Sequence, residues 1–102
     1  MKIVIQSNVY AEFENAFLWY QEIDQELADR IDAEFDLAVE LIAQTPARFS
    51  KAYKQFRRIK LKDFPYYIYY QIHQTTVVVT LFIHTSRNPR EIRRALKKRA
   101  ER

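Results

Sequence analysis

Basic side chains recur at two places in the second half of the chain, at spacings that would bring them together. Arg58, Lys60 and Lys62 alternate with other residues, so they would project from one face of a β-strand. A second basic group follows the last apolar segment and consists of Arg87, Arg90, Arg93 and Arg94. Clustered cations of this kind bind phosphate oxygens or stabilise the charge that develops during phosphoryl transfer. The alternative is a solvated basic rim without a ligand.

His84 is the side chain near these cations that is best suited to move a proton, because an imidazole titrates near neutral pH. It stands at the end of an apolar segment, three residues before Arg87. Ser86 lies close by, but no carboxylate partner is indicated, so the sequence does not support a Ser-His-Asp triad. The alternative is a histidine that only bonds to the backbone at a strand end.

The composition excludes several classes of enzyme. The chain contains no glycine, which phosphate loops, dinucleotide-binding turns and nucleophile elbows require. It has no cysteine, which excludes disulfides and thiolate metal sites, and its two histidines are too few for a histidine-only zinc site, although carboxylates could add ligands. We expect neither a metal nor a cofactor. No apolar run approaches the ~18 residues of a membrane span, and "MKIVIQ" is too short for a signal peptide. We therefore expect a cytoplasmic protein that does not bind membranes.

Charge is divided unequally along the chain. Residues 1–44 have a net charge of −8 and residues 45–102 a net charge of +12. Such an asymmetry predicts a basic face directed at a polyanion or an acidic protein. The alternative is that the two halves neutralise each other through surface ion pairs.

The first half predicts a strand followed by two helices. "MKIVIQ" has the β-branched alternation of a short strand. Ser7 or Asn8 can cap a first helix, and Asp24 can open a second one that ends near Pro46. Apolar residues recur at spacings of three and four residues along both segments, which predicts an antiparallel helical hairpin with acidic outer faces.

From Phe56 the apolar period changes to two, which predicts three strands. "QFRRIKLK" alternates, "PYYIYYQI" begins with Pro65, and the mostly apolar "TTVVVTLFI" suits a central strand, with "HQTT" as a four-residue connection. Residues 90–102 form a basic helix or a frayed tail. We therefore predict one α+β domain over residues 1–102, with the order β-αα-βββ-α. A small antiparallel sheet would carry the helical hairpin on one face.

Four tyrosines follow the basic strand in "FPYYIYYQI". The pleat places Tyr66 and Tyr70 on one face with two isoleucines, so this face is predicted to join the core. Tyr67 and Tyr69 point to the other face. They would either contact a ligand or cover the open side of the sheet, and the pattern leaves both alternatives open.

In this order and at this length, three segments resemble the RelE/ParE superfamily of bacterial toxins from type II toxin–antitoxin modules. They are "FLWYQEIDQELADRIDAEFDLAVELIAQTPARF", "FRRIKLKDFPYYIYYQI" and "VVVTLFIHTSRNP". The resemblance spans nearly the whole chain and implies a growth-inhibiting toxin, of a kind linked to plasmid stabilisation, that a small cognate antitoxin holds inactive. In the RelE branch the toxin cuts mRNA at the ribosome, whereas in the ParE branch it poisons DNA gyrase.

The RelE and ParE branches differ at several positions, and the residues of this sequence can be compared with them there. Arg58, Lys60 and Arg87 match basic residues of RelE-like nucleases, and His84 would then be the base. Tyr67 stands where those nucleases have an arginine, and Arg93 stands where they have a tyrosine or histidine. Because arginine cannot act as a base near neutral pH, these two departures favour the ParE-like side.

Three functions follow in order of preference. The first is a ParE-like toxin that acts on DNA gyrase, and the second is a RelE-like nuclease that acts on ribosome-bound mRNA. The third is a non-toxic module that binds nucleic acid or retains only antitoxin binding. The expected contact residues for target or nucleic acid are Arg58, Lys60, Lys62, Tyr67, Tyr69, Arg87, Arg90, Arg93 and Arg94.

Overall fold

The computed structural model describes residues 1–100. Within that range the chain forms five strands and three helices, in an order that confirms the predicted α+β arrangement. In chain order they are β1 (Lys2–Ile5), α1 (Ser7–Ile23), α2 (Gln25–Gln44), β2 (Lys51–Tyr53), β3 (Phe56–Lys60), β4 (Tyr66–His73), β5 (Thr76–His84) and α3 (Pro89–Ala100).

The strands form one sheet in the order β1-β5-β4-β3-β2. Pairing is antiparallel from β2 to β5, whereas β1 lies parallel to β5, with Ile5 opposite Val79. Two features of the sheet were not predicted. β1 and β5 are separated in sequence by the helical hairpin and three further strands, a connection long enough to bring β5 back beside β1 in the same direction. β2 is only three residues long, too short to show an alternating pattern.

The connection between β4 and β5 is shorter than predicted. His73 pairs with Thr76, so only Gln74 and Thr75 form the turn, and Gln74 has a φ of 56°. Two-residue hairpins favour left-handed backbone of this kind, and in this chain a glutamine adopts it in the absence of glycine. The prediction of a four-residue connection is therefore wrong, because the connection is two residues shorter.

The helical hairpin packs on one face of the sheet and forms the larger core. The rings of Phe13, Phe35 and Phe82 meet there at centroid distances of 4.6 to 5.6 Å. Tyr66 stacks on Phe82 and Tyr70 is fully buried, which confirms the predicted core face of β4. Asp24 caps α2 as predicted by accepting a bond from the Glu26 N–H. In α1, by contrast, Gln6 occupies the capping position and no side chain caps the helix.

The opposite face of the sheet is covered by α3, which forms a second, smaller core. Ile92 and Leu96 of this helix pack against Phe56, Tyr69 and Leu81. Residues 90–100 are therefore an ordered helix, and the alternative of a frayed tail is wrong for them. Because the sheet is a middle layer between the hairpin and α3, the described part of β4 carries apolar rings on both faces.

A β-bulge allows β5 to contribute side chains to both cores. Tyr69 pairs with Leu81 and Tyr70 with Val79, which leaves Thr80 without an opposite residue on β4. As a result, Val79 and Phe82 both face the hairpin, although they are three residues apart, while Leu81 faces α3. No helix in residues 1–100 has the length and apolar content that a membrane crossing requires.

Candidate functional site

Three of the predicted arginines meet on the face of the sheet that carries α3. Arg58 of β3, Arg93 of α3 and Arg87 of the connecting turn surround a small cavity of about 190 Å³, here called the cationic pocket. Tyr53 and Tyr67 line the same cavity from β2 and β4. The pocket therefore concentrates positive charge and aromatic surface, which together suit an anionic partner.

Arg58 is held in place by the two tyrosines that follow on β4. Its guanidinium lies 4.1 Å from the centre of the Tyr67 ring, and its Nη1 atom donates a hydrogen bond to the Tyr69 hydroxyl oxygen at 3.1 Å. The cation–π contact and the hydrogen bond limit the rotamers of a long side chain, so less entropy is lost when it binds an anion. Arg58 is therefore pre-positioned in the cationic pocket.

The two tyrosines themselves differ in exposure. Tyr69 is 2% exposed beneath α3, so the side of the sheet that was predicted to be open is closed at this residue. The reason is that α3 covers the face that sequence analysis left open. Tyr67 is half-buried and lies edge-on to Tyr69, with ring centroids 5.9 Å apart. Tyr67 is thus the aromatic side chain of this pair that lies within reach of a partner.

Arg87 is partly neutralised by the helix that follows it. Its Nε and Nη2 atoms donate to one carboxylate oxygen of Glu91, at 3.0 and 2.7 Å. Both side chains are about half exposed, at 56% and 50%, so this pair adds little stability. Glu91 instead fixes the orientation of Arg87 at the N-terminal end of α3, where Asn88 accepts a bond from the Arg90 N–H.

His84 lies outside the cationic pocket. Its Nδ1 atom accepts a hydrogen bond from the Ser86 N–H at 3.0 Å, so the neutral ring carries its proton on Nε2. The Ser86 hydroxyl also lies 2.8 Å from Nδ1, and the ring packs edge-on against Tyr66 at 5.2 Å. The structure therefore does not place His84 beside the phosphate-binding candidates Arg58 and Arg93.

The remaining predicted residues do not line the cationic pocket. Lys60 turns back onto the chain and donates to the carbonyl oxygens of Leu61 and Phe64, at 2.9 and 3.3 Å. Lys62 is exposed in the loop after β3, and Arg90 and Arg94 are exposed on α3. Of the nine predicted contact residues, the pocket brings together Arg58, Tyr67, Tyr69, Arg87 and Arg93.

A larger groove of about 750 Å³, here called the edge groove, lies between α1 and α3 along the outer side of β5. Asn15 and Trp19 line it from α1, Ala95 and Arg99 from α3, and His84 from the strand. Sequence analysis did not find this groove. One usable signal was Trp19, which lies off the buried stripe of α1 and is 58% exposed.

Two tyrosines in the edge groove are less acidic than usual. Burial raises the pKa of Tyr20, and it raises the pKa of Tyr66, to which the neighbouring Tyr20 adds a smaller effect in the same direction. Tyr20 and Tyr66 lie edge to face with ring centroids 6.5 Å apart. This wall of the groove therefore presents neutral, hydrogen-bonding aromatic surface at ordinary pH.

Two known proteins resemble this chain in sequence over most of its length. The chain is 25% identical over 92 residues to Toxin ParE2 of Mycobacterium tuberculosis, in strain CDC 1551 / Oshkosh and in strain H37Rv alike. Each alignment covers 89% of this chain and 88% of the relative. Residues 5–89 match the family described as ParE toxin of the type II toxin–antitoxin system parDE. That range runs from the end of β1 to the first residue of α3 and includes most of both cores, so the chain belongs to the ParE toxin family.

Proposed function

We propose that this toxin arrests growth by binding DNA gyrase, and that it does so through a surface rather than through acid–base chemistry of its own. Membership of the ParE family makes the chain the toxin of a type II toxin–antitoxin system that pairs with a cognate antitoxin. The choice of gyrase over ribosome-bound mRNA is the step that we add.

The observation that carries the proposal is the composition of the cationic pocket. Within residues 1–100, its lining contains no histidine, aspartate or glutamate. Cleavage of RNA by a 2′-hydroxyl needs a group that accepts a proton, but guanidinium stays charged and a phenol ordinarily stays protonated near neutral pH. A pocket of this composition suits the binding of an anion better than the cutting of one.

Charge around the pocket supports a binding role. α3 carries six basic residues against one acidic residue, Glu91. Arg90, Arg93 and Arg94 are exposed on this helix. Complementary charge raises the rate of association and selects the partner, without any requirement for chemistry. The basic surface of α3, together with Arg58 and Tyr67, is therefore our proposed contact with the gyrase–DNA complex.

The test is a purified gyrase assay beside a programmed-ribosome assay. We expect the toxin to inhibit supercoiling or to trap cleaved DNA, and Arg58→Glu with Arg93→Glu to remove that effect. His84→Ala should leave gyrase inhibition unchanged, because His84 lies outside the pocket. We expect no codon-specific cutting of mRNA in the ribosome assay.

The RelE-like alternative makes the opposite forecast. If His84 were a catalytic base, robust A-site cleavage would fall by about 10²–10⁴-fold on His84→Ala. That result would overturn the gyrase proposal. Unimpaired growth of a bacterial host at confirmed soluble expression would favour the third alternative, a non-toxic or degenerate binding module.

A further inference from the structure

The second half of β5 has no neighbouring strand on its outer side among the described residues. β1 pairs only with residues 76–79, and the last bond on that side runs from the Gln6 N–H to the Val79 carbonyl oxygen. From there the chain turns into α1 and leaves the sheet. The outer edge of Leu81–His84 therefore forms the floor of the edge groove.

Side chains already occupy the first two backbone groups along this edge. The Thr80 carbonyl oxygen accepts a bond from Arg99 Nη1 at 2.7 Å, and the Phe82 N–H donates to Glu12 Oε1 at 3.2 Å. Because backbone groups alternate along a strand, the Phe82 carbonyl and the His84 N–H point to the same side. These two groups flank Ile83 and match the pair that one residue of an added strand would bond.

The walls of the edge groove suit an extended segment with an apolar side chain. Trp19 is 58% exposed, and Ile23 extends its stripe one turn further along α1 at 58% exposure. Tyr20 and Tyr66 supply further aromatic surface. An exposed apolar wall beside an unpaired strand edge is costly to leave in water, and strand addition would cover both.

Charge selects the kind of segment that fits. Of the two acidic residues that line the groove, Glu12 is bonded to Arg99 and Glu91 to Arg87. The outer surface of α3 adds further cations beyond this wall, among them Arg94 and Lys98. On the α3 side of the groove, a segment that carries carboxylates would therefore be favoured over a basic one.

We propose that the cognate antitoxin inserts an extended, acidic segment with at least one apolar side chain into the edge groove, where it adds a strand to the open edge of β5. The backbone of that segment bonds to the Phe82 carbonyl and the His84 N–H, and its apolar side chain packs on Trp19. The Glu12–Arg99 pair closes the groove at the end nearest β1. This inference rests on the toxin's pairing with an antitoxin and not on the gyrase target.

Trp19 is the only tryptophan in the sequence, so it reports directly on the groove. Full-length toxin labelled with 5-fluorotryptophan gives one ¹⁹F resonance, to be followed while the purified antitoxin encoded beside it is added. We expect that resonance to shift on binding. We also expect exchange of the His84 amide proton to slow by more than about tenfold, because a strand bond would protect it.

Two matched variants on α1 test whether antitoxin binding depends on the edge groove or on the rest of the helix surface. Asn15 lines the groove and Gln21 does not, and both are exposed. Asn15→Phe should weaken antitoxin binding by more than about tenfold in calorimetry, since it fills space that the segment needs, whereas Gln21→Phe should not. Both variants should unfold at the same urea concentration as the parent.

Two results would overturn the inference. Tight antitoxin binding with an unchanged Trp19 resonance would place the contact elsewhere. A shifted Trp19 resonance without protection of the His84 amide would indicate an occupant, such as a helix, that does not bond to the strand. Neither measurement involves gyrase, so a failed gyrase assay and a failed docking experiment can be told apart.

Discussion

Glu12 and Arg99, 87 positions apart in sequence, form a two-point ion pair that ties α1 to α3 across the outer edge of β5. Arg99 Nη1 and Nη2 donate to the two carboxylate oxygens at 3.1 and 2.7 Å. The side chains are only 14% and 26% exposed. Arg99 also bonds to the Thr80 carbonyl and Glu12 to the Phe82 N–H, so the pair satisfies backbone groups at the bulge. A pair placed this way fixes the separation of the two walls of the edge groove.

Removal of either partner should therefore destabilise the fold. We expect Arg99→Ala or Glu12→Ala to lower the free energy of unfolding by about 1–3 kcal/mol, because each leaves a shielded charge and a backbone group without a partner. Urea unfolding measures this loss. The double variant should cost less than the sum of the two single variants. Strict additivity would show that the pair is not coupled.

The second core predicts a different sensitivity. Leu96 is fully buried between α3 and the sheet, so Leu96→Ala should lower the free energy of unfolding by about 2–5 kcal/mol. Lys97→Ala is the matched control on the same helix, since Lys97 is exposed and its loss should change stability by less than about 0.5 kcal/mol. Equal effects from the two variants would mean that α3 does not pack on Phe56 and Tyr69.

Alkaline pH should weaken the fold through buried phenols. Burial raises the pKa of Tyr66 and Tyr70 above the ordinary phenol value of 10.0, although the nearby Arg57 partly offsets the effect for Tyr70. A raised pKa in the folded state means that the stability contributed is complete below the unfolded pKa and is lost as pH rises through the folded pKa.

The free energy of unfolding should therefore fall above pH about 10. Tyr66→Phe is the control, because it should reduce the steepness of that fall while its ring still stacks on Phe82. A fall of the same steepness in the variant would assign the alkaline loss to other groups.

The cationic pocket predicts which cations matter for toxicity. Arg58→Glu should relieve growth arrest in a bacterial host, since it removes the guanidinium that Tyr67 and Tyr69 hold in the pocket. Lys62→Glu changes charge by the same amount at an exposed position outside the pocket and should leave growth arrest intact. Growth arrest is scored at matched soluble expression. Loss of toxicity with Lys62→Glu alone would move the important surface to the loop after β3.

Much of the fold could be predicted because its local signals agree with one another. The helical hairpin was predicted from apolar residues at spacings of three and four residues, and Asp24 opens α2 as predicted. The core face of β4 followed from strict alternation through Ile68 and Tyr70. In each case a short window of sequence contains the whole signal.

What could not be predicted depends on contacts between distant segments. Tyr69 was expected on an open face because nothing in the segment "FPYYIYYQI" indicates that Ile92 and Leu96 cover it. The parallel pairing of β1 and the bulge at Thr80 likewise arise only when both partners are assembled. Sequence reasoning placed His84 and Arg58 in one candidate site, but the two side chains lie on opposite faces of the sheet. His84 packs on Tyr66 on the hairpin side, whereas Arg58 bonds to Tyr69 on the α3 side.

The parallel pairing of β1 with β5 also bears on how the toxin is made. β1 is translated before both helices and three further strands, and its partner residues 76–79 follow late in the described chain. A contact of such long range closes slowly, after the local hairpins have formed. Until Val79 has left the ribosome, β1 has no strand beside it and the floor of the edge groove does not exist. A chain that ends before residue 79 also lacks Arg87 and Arg93 of the cationic pocket, so it has neither the proposed target-binding site nor the groove proposed for the antitoxin.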